Sequence, residues 1–179
     1  MKKVFGLIMG VVISVSALSQ KTMAPVNGNS KVSFTIANFG IDTDGSITGL
    51  DGKITFEPKN LAASVFNITA AVNSINTGND RRDGHLKKDD FFDAEKFPVI
   101  RLQSTRIGAS QKAGEYIFIG ELTMKDVTKT ISFPFTYILK PEGILFTGNF
   151  DIDRRDYGVG GNSATMSDKV RLSLSVMAK

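Results

Sequence analysis

The chain has 179 residues, no cysteine, no tryptophan, one histidine and a formal net charge of +4. Without cysteine there is neither a disulfide framework nor a lipidated cysteine, and a lone histidine cannot build a multi-histidine metal site, so stability has to come from an apolar core. The small positive charge is scattered among acids, which gives no basis for a nucleic-acid partner.

Residues 1–19 carry a basic start at Lys2 and Lys3, an apolar run from Val4 to Ala17 and a small-x-small ending at Ala17-Leu18-Ser19. These are the three regions of a secretory signal peptide, and the run is shorter than the roughly 20 apolar residues of a transmembrane helix. The expectation is cleavage near Ser19/Gln20 and a periplasmic or secreted protein. The remaining 160 residues (179 less 19), at 20–179, have the length of one domain.

From residue 30 onward, apolar and polar residues alternate with the period of a half-buried strand. Val32, Phe34 and Ile36 share one face of the first candidate, with Ser33 and Thr35 on the other. Further strands are expected near 45–57, 64–74, 97–107 and 114–124. Ile131, Phe133, Phe135, Tyr137 and Leu139 then line one face of another, and 143–152 follows. The last is the cleanest, with Val170, Leu172, Leu174 and Val176 alternating with Arg171, Ser173 and Ser175. Turn residues cluster between them at Asp44-Gly45, Glu57-Pro58-Lys59-Asn60, Lys112-Ala113-Gly114 and Pro141-Glu142-Gly143. Gly49 and Gly52 mark a bulge or sharp bend inside the second segment.

The pattern is all-β, about eight antiparallel strands joined by hairpins, and a closed barrel is favoured over a sandwich because closure removes exposed edges. An outer-membrane barrel is disfavoured by the missing tryptophan and by Lys31, Arg101, Glu115, Glu121 and Arg171 opposite the apolar face.

One segment, 79–96, has dense charge and no alternation. A short helical insertion around 79–93 is expected, with Asn79 or Asp80 as its cap and Leu86, Phe91 and Phe92 turned toward the barrel. It serves either as a connector that completes the core or as a lid over a ligand entrance.

At this segment the chain resembles the YceI-like family, also called polyisoprenoid-binding or lipid-binding proteins. The resemblance rests on Ser30-Lys31-Val32-Ser33-Phe34-Thr35-Ile36, Ser74-Ile75-Asn76-Thr77-Gly78, Arg82-Asp83-Gly84-His85-Leu86, Asp90-Phe91-Phe92-Asp93, Phe97-Pro98, the stretch Gly120 to Lys129, and Asp153-Arg154-Arg155-Asp156-Tyr157-Gly158-Val159. It implies a lipocalin-like eight-stranded barrel whose cavity takes an isoprenoid or similar long amphiphile. Two departures from the family pattern are Asp126, where glycine is frequent, and Gly84, where alanine or another residue is common.

An eight-stranded barrel either fills with side chains or holds one ligand. From the apolar faces, Phe34, Ile36, Phe56, Ile68, Leu102, Phe118, Phe133, Phe135, Phe146 and Leu174, with Phe91 and Phe92, are the candidate lining. Arg82, Asp83, His85, Arg154 and Asp156 are candidates for the rim or for a polar head group. Either arginine can instead tie a loop to the rim by pairing with a carboxylate. No nucleophile elbow, phosphate-cradling glycine loop or HExxH motif occurs, so an enzyme acting on lipid or quinone is the lesser alternative and no cofactor or metal is expected. The expected function is extracytoplasmic sequestration or transport of a polyisoprenoid, isoprenoid quinone or fatty-acyl chain. Transient membrane contact and a homodimer are compatible with it, and a filled structural or stress-response barrel is the other alternative.

Overall fold

The structure, a computed structural model, describes residues 21–179. The expected signal peptide at 1–19 lies outside the described residues. Ten strands form one antiparallel sheet: β1 (Thr22–Met23), β2 (Lys31–Asn38), β3 (Ile41–Ile47), β4 (Leu50–Thr55), β5 (Val65–Ala71), β6 (Val99–Ala109), β7 (Glu115–Met124), β8 (Val127–Lys140), β9 (Gly143–Asp153) and β10 (Met166–Ala178). They are ordered β1-β4-β5-β6-β7-β8-β9-β10-β2-β3.

The strand count exceeds the expected eight for two reasons. β1 is too short to show alternation, and the single segment expected at 45–57 is broken between β3 and β4. Only Thr48 and Gly49 separate these two strands, yet β3 ends the hydrogen-bonded order and β4 stands next to its other end, inside only the two-residue β1, so the sheet has to curl until its ends meet. Gly49 makes the corner at φ +61°. Closure is then sealed by Ser46 and Asn76, whose backbone N–H groups donate to each other's carbonyls at 2.8 and 2.9 Å. Gly52 instead permits a close approach of two strands: at φ +127°, a Cβ there would stand 2.1 Å from the Asn67 carbonyl oxygen.

Two-residue hairpins set the register at one end of the barrel. Phe39-Gly40 joins β2 to β3 and Lys125-Asp126 joins β7 to β8, all four residues with positive φ, the mirror-image turn that matches strand twist. Asp126 thus adopts the left-handed conformation that glycine would take without strain.

The interior is divided lengthwise. At the end holding the β8–β9 turn, Phe56 sits among Phe66, Tyr116, Phe135, Tyr137 and Phe146 with ring centroids 5.0–6.1 Å apart, mostly edge to face. This aromatic plug is the floor. The N-terminal segment reinforces it: β1 pairs with β4, after which Ala24 and Val26 bond the backbone of Lys179 and Met177 at the end of β10. Helix α1 (Asp80–Leu86) lies at the opposite end, capped by the Asn79 side chain, which accepts from the Arg82 N–H.

Candidate functional site

Above the floor the barrel holds a cavity of about 360 Å³. Its walls come mainly from the inward faces of β2, β5, β7, β8, β9 and β10, where period-2 alternation delivers an apolar side chain at every second position. Phe34, Ile36, Ile68, Leu102, Phe118, Phe133, Phe135, Phe146 and Leu174 all line it, as do Phe91 and Phe92 from the segment after α1. Phe133 stacks between Phe118 and Phe150 at centroid distances of 4.8 and 4.3 Å, a rigid apolar wall. Phe56 stands apart from the other expected lining residues: it lies in the floor plug and does not border the cavity. Its face was legible, its depth along the barrel was not.

The adjoining wall, on β10 and β2, is unpacked. Ile36, Val170 and Leu172 point inward and border the cavity, yet among the described residues they pack against neither buried apolar cluster and remain half-buried. Their unburied surface faces the cavity. Val170 and Leu172 carry the same alternation as Leu174, so their pattern in the sequence already marks them as inward-facing.

The polar end of the cavity is built by four loops. Arg82 and His85 border both the cavity and a shallow groove on the outer side of α1. Arg82 donates from Nε to the Thr77 hydroxyl at 2.7 Å and from Nη2 to the Thr77 carbonyl at 2.8 Å. Asp83 is buried, accepts from the Thr77 N–H at 2.9 Å and from its hydroxyl, and does not border the cavity; it holds Thr77, and Thr77 holds Arg82. His85 Nε2 lies 2.7 Å from Asp90 Oδ2, with its ring edge-on to Phe91. Lys125 ties the insertion to the late loop, donating to the carbonyls of Asp89 and Gly158 at 2.7 and 3.2 Å.

Arg154 also borders the cavity but is a clamp. Its Nε donates to Ser167 O, Nη1 to Val159 O and Gly161 O, and Nη2 to Met166 O and Asp168 Oδ1, at 2.7–3.4 Å. Those bonds commit all five guanidinium donors, so none is left for a head group. Arg154 therefore folds the 154–168 loop back onto the rim, the clamping role that arginine and carboxylate pairing allowed. Asp156 does not border the cavity; it is exposed and faces Lys129 at 4.0 Å. Next to it, burial, and then the Asp156 carboxylate, push the Tyr157 hydroxyl up to about 12. Asn38, Thr43 and Met166 also border this end and were missed: Asp44-Gly45, expected as a turn, lies inside β3 while the turn falls at Phe39-Gly40, and a register shift separates Met166 from the alternation that starts at Val170. Among the described residues, no group of three or more His, Cys, Asp and Glu side chains stands together in a way that could hold a metal ion.

An apolar tube with a polar end suits a chain with a polar head, and its volume sets the length. At roughly 30 Å³ per methylene, about the share of one water in the liquid, 360 Å³ accommodates about twelve carbons.

Comparison with known proteins agrees with this architecture. The family model described as the YceI-like domain matches residues 25–178. UPF0312 protein YE1254 from Yersinia enterocolitica is 32% identical over 142 residues, covering 74% of this chain and 71% of that protein. Among solved structures, BcnA from Burkholderia cenocepacia superposes with a TM-score of 0.78 at 24% identity, over 84% of this chain and 96% of that one. A polyisoprenoid binding domain from Saccharophagus degradans, implicated in plant cell wall breakdown, gives 0.67 at 15% identity, over 88% and 97%. At these identities the two structures establish the shared fold alone.

Proposed function

Since this chain belongs to the YceI-like domain family, we propose that it binds the chain of a long apolar amphiphile, an isoprenoid, isoprenoid quinone or fatty acid, and shields it from water outside the cytoplasm. The signal-like residues 1–19 would direct export, and residues 20–179 would act as one barrel domain. The observation that carries the proposal is the unpacked wall: Ile36, Val170 and Leu172 present apolar surface to a partly enclosed space, which a filled barrel would cover with side chains. The polyisoprenoid binding domain with the same fold supports this ligand class.

About twelve methylenes at about 0.8 kcal/mol each give roughly 10 kcal/mol of gross stabilisation, offset by several kcal/mol for immobilising the chain. Head-group recognition falls to Arg82, because its two bonds to Thr77 leave three of its N–H donors uncommitted among the described residues, at the junction of cavity and groove. A carboxylate or phosphate fits that fork. Sequestration and delivery need no chemical step, and the proposal includes none.

Calorimetric titration with saturated fatty acids of increasing length tests this. Affinity should rise about fourfold per methylene, the equivalent of 0.8 kcal/mol, and level off near twelve carbons. Arg82→Gln should weaken acid-headed chains about tenfold and leave alcohols of equal length unchanged, in line with the loss of a charge-assisted bond. Absence of binding, or affinity independent of chain length, contradicts the proposal.

A further inference from the structure

We propose that the tip of the β2–β3 hairpin docks the barrel on a lipid bilayer, with Phe39 and Ile41 entering the interface beside the cavity's polar end. The inference rests on the carrier reading, for which a chain that partitions into membranes must cross from bilayer to cavity.

Phe39 and Ile41 are 76% and 71% exposed. Phe39 also takes φ +51°, a conformation disfavoured for a bulky residue and normally filled by asparagine or glycine in such a turn. Neither the strain nor the exposure finds a return among the described residues. The tip is nevertheless fixed in place: Phe39 N–H donates to the Thr165 carbonyl at 2.8 Å, and the adjacent Asn38 borders the cavity. The apolar pair thus projects from the rim.

Two side chains are far short of the roughly 800 Å² per partner of a stable protein interface, whereas shallow insertion of an aromatic ring and an aliphatic chain suits a bilayer surface. The acids that follow do not oppose it, since Asp42 is paired with Arg171 and Asp44 accepts the Thr35 hydroxyl. Among the described residues the other exposed apolar pair adjacent in sequence is Ile138 and Leu139, 50% and 71%, but they stand beyond the floor plug at the closed end. They serve as the internal control.

The chain has no tryptophan, so Phe39→Trp, Ile41→Trp and Leu139→Trp each supply a single reporter. Each protein, purified as its host processes it and checked for fold by circular dichroism, is mixed with phosphatidylcholine vesicles bearing brominated acyl chains. The reporter at position 39 should shift to the blue and be quenched at least twofold, the one at 139 should do neither, and the one at 41 repeats the test should the first variant not fold. Equal quenching at both ends, or none at 39 and 41, overturns the proposal. The fatty-acid titration uses no vesicles, so intact chain binding without quenching removes the docking surface alone.

Discussion

Enlarging Val170 to phenylalanine separates an open cavity from a filled core. Val170 borders the cavity from β10, between Ile36 on β2 and Ile152 on β9, and packs against neither core cluster among the described residues. Val170→Phe adds the bulk of about two methylenes, roughly 60 Å³ at roughly 30 Å³ each, to a space of about 360 Å³. Because the ring enters free volume and covers apolar wall, stability should rise by about 1 kcal/mol. A long ligand loses the same two methylenes of burial, about 1.6 kcal/mol or roughly fifteenfold in affinity. A short one does not. Urea unfolding followed by circular dichroism reads the first effect, and paired titrations with dodecanoate and octanoate read the second, with octanoate expected to bind unchanged. Overpacking of a filled core costs about 1–3 kcal/mol, so destabilisation of that size with no change in dodecanoate binding would refute the reasoning.

Other residues give independent checks. Arg154→Met removes all five donors of the buried clamp, strands four carbonyls and leaves Asp168 with only its bond to Arg155; urea unfolding should show a loss of about 3–5 kcal/mol, and a loss under about 1 kcal/mol would show that the loop holds without it. Asp126→Gly relieves the left-handed turn residue, and Gly84→Ala strengthens α1 at a position where a Cβ meets nothing within 4 Å. Each should raise the urea midpoint by an amount equivalent to about 0.5–1 kcal/mol. Tyr157 predicts a dependence on alkaline pH. Its hydroxyl is raised in the folded state to about 12 from 10.0, so the neutral form is favoured by folding; the contribution is complete below pH 10 and is lost as pH rises toward 12. Between pH 8 and pH 11.5, denaturation of Tyr157→Phe should show a loss smaller than the parent's by an amount on the order of 2 kcal/mol.

Alternation made the strands legible because one face of each meets apolar surroundings and the other meets water. β10 shows this most clearly, from Val170 to Val176. The same periodicity says nothing about height along the barrel, and so Phe56 in the floor and Phe34 in the cavity wall look alike in sequence. Gly49 announced a bend, but its consequence, a chain crossing between the two ends of the sheet, is a property of pairing and not of local pattern. The motif arginines were equally ambiguous until their partners could be counted. Arg154 is saturated by backbone carbonyls contributed by residues up to 13 positions away and by Asp168, whereas among the described residues the Arg82 guanidinium meets only Thr77. Asp83 carried a strong motif signal for a purpose one step removed, the orientation of Thr77.

The most direct test of the carrier function is mass spectrometry of an organic extract of the protein, purified after export without detergent. A carrier should yield a prenyl or acyl compound at close to one per chain, or reach the same stoichiometry after incubation with isoprenoid quinones and fatty acids. A blank extract that stays blank after that incubation would contradict it and leave a barrel whose cavity holds no lipid.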